Sequence, residues 1–437
     1  MATGTNTQVF DGALKDDYED FVADGVSNKN KFKEIFKAQQ IPHGGRSKKF
    51  TTHVGRNAGV MASGEDGGIA AAGAQKYVQS EVRTKKVMGR VRYTQEILDD
   101  SMGDENSFVD ARKDEMNRLI DDFARKEEHY WCSLRGILAY LSGDPGTDAD
   151  EVELDNPGGF THASFGNRFV ARDMFVGAVN PSTGALRAGV VKVSSVNSDG
   201  TGFTPDASIN AAWADNDYLV QCATSATTDV GDSSFEQAPT SILELIDDGT
   251  YKTNYFSVDR DIYETPVNAY VKATTGALSF DVLQQASDVA DQRLGGRIDK
   301  LVMHHSTRRL YIQLTEADRR YSTSGSLRKP DGGTAAFQQE EDLTMGNVPI
   351  IAIRDFPLDV IVGLDSANMG AKQYVSEKGR WVDDDGSILV RDGTGNSAKH
   401  AFEAWYFRRH ENYVAYPAKC IRLDGVTGQS LVVVRSE

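Results

Sequence analysis

The segment that most constrains this chain is residues 107–141, the longest stretch whose apolar spacing fits a single periodicity. At about 100° per residue, Met116, Leu119, Ile120, Phe123, Tyr130, Trp131, Leu134, Leu138 and Leu141 fall in one stripe about 120° wide. The spacing predicts a long amphipathic helix. Ser107, with Asp110 three residues on, supplies a capping start, and Gly143, Pro145 and Gly146 supply a stop. At ~1.5 Å per residue the element would be roughly 50 Å long. On the opposite face Asp114 and Arg118, Asp121 and Arg125, and Asp122 and Lys126 stand acid-before-base one turn apart, the order the helix dipole favours. That face is expected to be solvated. Glu127 interrupts the apolar stripe near its centre, so burying the helix requires a basic or hydrogen-bonding partner for its carboxylate.

A chain of 437 residues exceeds one typical core and predicts about two or three sub-domains. With 39% hydrophobic and 26% charged residues it has the composition of a globular protein, and no apolar run approaches the ~20 residues of a membrane span. The first twenty residues carry Asp11, Asp16, Asp17, Glu19 and Asp20 and lack the basic and apolar regions of a signal peptide, so synthesis and folding in a cytoplasm are expected. Cys132, Cys222 and Cys420 are too widely and irregularly spaced for a disulfide framework or a zinc knuckle, and are expected to be reduced and buried. A net charge of −16 argues against a coat that binds nucleic acid by neutralising phosphates.

Residues 1–43 read as an arm, with short helical patterns from Leu14 to Ala23 and from Lys29 to Gln39. Residues 44–94 read as a long two-stranded ribbon: a strand from Lys48 to Val54, a Gly- and Ala-rich tip from Gly55 to Gly73, and a strand from Lys76 to Tyr93. Alternation changes parity near Lys85 and Lys86, which predicts a bulge or bend there. Between Arg46 and Arg92 ten basic residues (Arg46, Lys48, Lys49, Arg56, Lys76, Arg83, Lys85, Lys86, Arg90 and Arg92) face three acidic ones. The ribbon is therefore basic on an otherwise acidic chain. Such a ribbon can be satisfied by the acidic surface of another copy, in a head-to-tail contact that propagates, so these ten residues are the candidate inter-subunit contacts. A basic surface hairpin that binds an anion, or nothing, is the blander reading.

From Phe160 to Cys222 short strand patterns alternate with turns such as Asn180-Pro181-Ser182-Thr183-Gly184 and Asn197-Ser198-Asp199-Gly200, predicting an inserted antiparallel module. Helices follow from Ile242 to Ile246, from Phe280 to Leu294 with Ser279 as cap and Gly295 as stop, and from Ser306 to Leu314. Strands are predicted from Lys300 to Met303, from Val348 to Ile353 and from Val360 to Leu364, the last two as a pair. Strand followed by helix points to a mixed α/β sub-domain. Tyr321 to Phe337 reads as an exposed loop, and later strands are expected at Trp381 to Val390, Ala401 to Arg408, Asn412 to Pro417 and Leu431 to Val434.

Patterns that carry chemistry are missing. The glycines at Gly67, Gly68 and Gly73 are followed by Ala74 and Gln75, where a phosphate-binding loop needs Lys and Ser or Thr. His304-His305-Ser306 has no nucleophile elbow around it and reads as a strand-end and capping feature. Asp383-Asp384-Asp385-Gly386 lacks calcium-loop spacing and reads as a turn, and no zinc or facial-triad pattern occurs. No catalytic residue, cofactor or metal site is expected.

The order of these parts resembles the major capsid proteins of tailed bacteriophages with the Hong Kong 97 fold. The resemblance is carried by residues 76–101, including Arg92-Tyr93-Thr94-Gln95-Glu96-Ile97-Leu98 leading into the long helix; by Gly295-Gly296-Arg297-Ile298-Asp299-Lys300-Leu301-Val302-Met303-His304; by Gly346-Asn347-Val348-Pro349-Ile350; and by residues 401–425. It implies an α+β fold: an N-terminal arm (1–43), an extended loop (44–94), a peripheral domain around a spine helix (95–156), an inserted β module (157–235), a mostly axial domain (236–370) and late strands (371–437). It also implies a subunit that assembles with itself into hexamers and pentamers of a closed icosahedral shell around a double-stranded DNA genome, held without tight binding. Some relatives carry a scaffolding segment of about a hundred residues at the front where this sequence has its short arm, which implies a separate scaffold protein. A portal, room for a decoration protein, no membrane partner, and assembly in a host cytoplasm into a virion capsid complete the expectation. Two alternatives stand beside it: an encapsulin-like bacterial compartment shell, and a non-assembling β-rich enzyme.

Overall fold

The computed structural model describes residues 32–40, 47–65, 67–96, 111–145, 151–160, 165–209, 212–319, 344–345, 348–366, 371–382, 390–391 and 401–429. The chain divides into two compact units, one containing residues 88–125 and 381–407, the other residues 30–87, 126–380 and 408–437. The long helix spans Ala111–Cys132 and contributes to both. Its 22 described residues give about 33 Å, and it ends at Cys132, before the predicted Leu141. Ser107 and Asp110 lie outside the described residues. At the other end, Arg135 (φ 51°) and Gly136 (φ 74°) turn the chain, and Ile137–Leu141 is a strand. A Cβ at Gly136 would lie 2.4 Å from the Ser234 carbonyl oxygen, so this turn requires glycine. Leu138 and Leu141 fit the helical stripe because a short, almost wholly buried apolar run satisfies either period.

In the first unit the helix lies over strands. Val91, Tyr93 and Ala404 form a small core with Met116, Leu119, Trp381 and Phe402 packed against it. Gly89 allows the approach, since a Cβ there would lie 3.0 Å from Leu119. Val390 and Arg391 pair antiparallel with Glu403 and Phe402, and the Val382 N–H donates to the Trp405 carbonyl. Phe123 is buried edge-on against Tyr406, at 5.1 Å between ring centroids, whereas Ile120 at the margin of the stripe is exposed. Replacing Phe123 with Ala should therefore destabilise the protein by about 3 kcal/mol, read as a lower thermal midpoint. An unchanged midpoint would put the ring outside the core.

In the second unit the helix ends among aromatic rings. Trp131 is fully buried and meets Phe32 edge-on at 5.2 Å. Glu127 is also buried, and the partner its position demands is Arg408, whose Nη1 lies 2.8 Å from both carboxylate oxygens; His410 Nδ1 stands 3.5 Å away. Phe32–Ile35 forms only one helical turn, and Lys37–Gln40 is a strand running parallel to residues 372–375, which corrects the predicted helix from Lys29 to Gln39.

The segment predicted as an inserted module belongs to a closed six-stranded barrel in the order Tyr218–Gln221, Ile137–Leu141, Val152–Asp155, Gly202–Pro205, Val191–Val196 and Phe175–Val179, two of whose strands precede the expected start at residue 157. Its interior is filled by Leu138, Leu141, Val152, Val176, Val193, Phe203 and Leu219. The barrel takes its first strand from the segment whose sequence reads as helix.

Beyond it lies a mixed six-stranded sheet in the order Tyr270–Lys272, Ile421–Leu423, Ile361–Leu364, Lys300–Met303, Val348–Ala352 and Thr344–Met345. Helix Phe280–Leu294 has the predicted Ser279 cap and Gly295 stop, and helix His305–Arg319 follows strand Lys300–Met303 directly. Leu283, Ala286, Ala290 and Tyr311 pack on the sheet through one core. The two strands predicted as a pair flank Lys300–Met303 instead, Val348–Ala352 parallel and Ile361–Leu364 antiparallel.

Two buried arginines brace this region. Helix Ile242–Leu245 starts at a Ser241 capping box, and its last carbonyls are held by guanidinium groups. Arg260 donates to the carbonyls of Glu244 and Val267, and Arg422 to those of Leu243 and Ile246 at 2.8 Å each. Arg422 also lies 2.9 Å from Asp247 and donates to Asp424 at 3.0 Å, with its guanidinium 4.5 Å from the centre of Tyr251. Burial raises the Asp424 carboxyl to about 6, although Arg422 pulls it down.

The predicted strands from Ala401 to Arg408 and from Asn412 to Pro417 are one strand, Ala401–Val414. The apparent break is a run of polar groups of which only Arg409 is exposed: half-buried Arg408 and buried His410 serve Glu127, and buried Glu411 accepts from the backbone N–H groups of Thr240 and Asn412. The strand predicted from Trp381 instead ends there, as Ala371–Trp381. The predicted helix from Leu14 to Ala23, the Asp384-Asp385-Gly386 turn, the Tyr321 to Phe337 loop and the Leu431 to Val434 strand lie outside the described residues. All three cysteines are free and buried, as expected.

Candidate inter-subunit interface

The ribbon consists of strands Ser47–Gly55 and Lys76–Arg83, antiparallel from Ser47 opposite Arg83 to Gly55 opposite Lys76, with a register shift between His53 and Gly55. Alternation gives it two unlike faces. Inward point Lys48, Phe50 and Thr52, opposite Val82, Ser80 and Val78. Phe50 stacks on Tyr413 at 4.2 Å and lies 5.1 Å from Tyr374, while Val82 and Ser80 are buried. The Glu81 N–H donates to the Ser257 hydroxyl. A two-stranded ribbon is marginal alone, and these contacts hold its base.

On the outward face Lys49 stands opposite Glu81, and the Arg83 Nε donates to Glu81 at 3.0 Å. That hydrogen bond is the main reason the Glu81 carboxyl titrates below its ordinary value. Residues 56–65 and 67–75 form the tip, folded on itself: Asn57 Oδ1 accepts from the Gly59 N–H, and the Gly67 N–H donates to the Gly64 carbonyl. Exposed Arg56 and Lys76 stand where the two strands meet the tip and make no ion pair among the described residues.

The ten candidate contacts are thus dispersed. Arg46 lies outside the described residues. Lys49, Arg56, Lys76 and Arg83 are outward on the ribbon or at its tip. Lys48 is turned inward, its amine 4.6 Å from the centre of the Tyr374 ring, and burial, with Lys372 nearby, lowers its pKa. Beyond Thr84 the chain leaves the ribbon, so the predicted parity change falls one residue early and marks its end: strand Lys85–Thr94 pairs with Ala401–Val414. Lys85 donates to the Glu236 carbonyl beside a cleft of about 280 Å³ that Arg135, Glu244 and Lys252 also line. Lys86 is exposed and interacts within the chain. In the first unit Arg90 pairs with Glu403, and Arg92 is exposed with an interaction of its own. Elsewhere, His304 is buried and its Nδ1 accepts from the Ser306 N–H at the start of helix His305–Arg319, the capping role its position predicts.

No family model matches the sequence, and no curated protein is similar to it. Solved structures are. The subunit of the cyanophage A-1(L) capsid matches with a TM-score of 0.55 at 9% identity, covering 97% of this chain and 99% of that one. The capsid of a native GTA particle matches with a TM-score of 0.51 at 15% identity, covering 98% and 100%. The fold is that of a capsid shell protein. At such low identity the shared feature is backbone arrangement along nearly the whole chain, not a motif. Reading charge alone along this capsid fold misses the apolar part of the ribbon: Val60 is 86%, Met61 60%, Ile69 100% and Tyr77 63% exposed. The signal available was three large apolar residues in a loop otherwise built of small and polar ones.

Proposed function

We propose that this chain is the major capsid protein of a phage-like particle, assembling with copies of itself into a closed icosahedral shell around double-stranded DNA. The observation that carries the reading is the match to capsid subunits over 97% or more of both chains. In this reading the ribbon is the extended loop, and its outward and tip residues Lys49, Arg56, Lys76 and Arg83, with Val60, Met61 and Ile69, meet a neighbouring copy. Hexamers and pentamers, a separate scaffold protein, a portal and assembly in a host cytoplasm belong to the same proposal. The long helix is its spine, the barrel its inserted module and the six-stranded sheet its axial domain. Expression of the chain with its scaffold, followed by negative-stain microscopy, tests the proposal: closed shells support it, and a monodisperse monomer at high concentration overturns it.

The shell should hold DNA by enclosure. With a net charge of −16, a subunit offers few free cations to a duplex carrying about one negative charge per 1.7 Å. Unassembled subunits mixed with duplex DNA at about 50 mM salt, where electrostatic binding is strong, should show no tight binding. Binding that falls steeply as salt rises would point to a nucleoprotein coat.

A further inference from the structure

Arg168 lies in the turn Gly166–Phe169 of the barrel module and is buried, at 3% exposure. Its Nη1 donates to the Phe356 carbonyl at 3.2 Å, while Nε and Nη2, also buried, have no hydrogen-bond partner in the protein. A guanidinium left with two unmet donors in a core is costly. Arg168 lines a small cavity of about 10 Å³ together with Cys132, Phe169, Asp355, Leu358 and Asp359. Asp355 is buried as well, at 3% exposure, and takes the Arg354 Nε at 3.3 Å, but no direct ion pair joins it to Arg168. The volume is that of about one water molecule, which needs two to four polar partners.

We propose that this cavity is a binding site for a single water that bridges the Arg168 guanidinium to the Asp355 carboxylate, closing a solvent-separated ion pair. Arg168 supplies two donors and Asp355 an acceptor. The Cys132 thiol, which burial keeps protonated, borders the same space as a weak third partner. A monatomic anion is disfavoured, because Asp355 and Asp359 already line the cavity. The bridge joins the barrel turn to the loop leading into strand Ile361–Leu364, so with the direct Arg168 to Phe356 bond it clasps barrel to sheet. The module is then anchored electrostatically as well as by packing.

Two measurements test this. An experimental map of the subunit or shell fine enough to resolve ordered water should show one density within hydrogen-bonding distance of Arg168 Nε or Nη2 and of Asp355. A direct Arg168 to Asp355 contact, or a cavity without density, overturns the proposal. In unassembled protein, R168M, D355N and the double variant form a thermal double-mutant cycle. R168M should lower the midpoint by about 5 °C, and the double variant should lose clearly less than the sum of the singles. Additive losses would mean that the two groups are not coupled through the cavity. Should R168M fail to fold, R168K, which keeps the charge but not the fork of donors, supplies the same arm of the cycle.

Discussion

Replacing Arg56 and Lys76 together with Glu should abolish closed particles while leaving the subunit folded. Both side chains are exposed where the ribbon meets its tip and make no ion pair among the described residues, so reversing them removes no ion pair there. Lys49 is a poorer target, because it stands opposite Glu81 and a Glu there would set like charges across the strands. A single exposed pair contributes only about 0–1 kcal/mol, but a shell repeats each contact at every subunit, and modest contacts add through multivalency. Sedimentation should show free subunits in place of shells, with an unchanged thermal midpoint. The Gln pair R56Q/K76Q, which removes attraction without adding repulsion, should reduce the yield less. Shells at the normal yield from the Glu variant would exclude ribbon electrostatics as a driver of assembly.

Arg422→Leu should be the most damaging single substitution in the core. The guanidinium is fully buried and serves two carboxylates and two helix-terminal carbonyls at once. Removing it leaves Asp424 without its cation, strips Asp247 of one partner, and frees the carbonyls of Leu243 and Ile246. Breaking one side of a buried ion pair costs about 3–5 kcal/mol, and that is a large share of a domain's stability. Asp247 retains the backbone N–H groups of Gly249, Tyr251 and Lys252, which sets the lower end of the range. Calorimetry of the unassembled variant reads the loss directly, and a midpoint within a degree of the parent would mean that the network contributes little. Arg422→Lys should recover only part of it, since an ammonium cannot reproduce the planar fork.

Local signals made much of this architecture legible in the sequence. Ser279 and Gly295 bound a helix because the cap and the left-handed stop are chemistry of those residues themselves. The partner demanded by Glu127 was legible as a need, but Arg408 as the answer was not, since 281 positions separate them. The end of the long helix does not show in the sequence, because Ile137–Leu141 is almost wholly buried and burial erases the alternation that separates strand from helix. The strand Ala401–Val414 reads as broken because its middle is charged, and Arg408 and Glu411 there find their partners inside the protein. The ribbon was legible as an element and its basic excess as a number. Which cations point outward was not, because that depends on register: Lys48 and Lys49 are adjacent in sequence and opposite in exposure and partners.

That register also limits how the ribbon can vary. Deleting Thr51, with the strand beyond it held in register, would turn Phe50 away from Tyr413 and bring Lys49 into its place, so the base does not tolerate that single-residue slip. The shift between His53 and Gly55 insulates this base from what lies beyond it. A stretch carried past that point, between Met61 and Ile69 on the exposed loop, leaves every paired position below unchanged. The ribbon is thus a fixed mount with an interchangeable end, and a foreign peptide grafted at that end would be borne by every copy of the subunit.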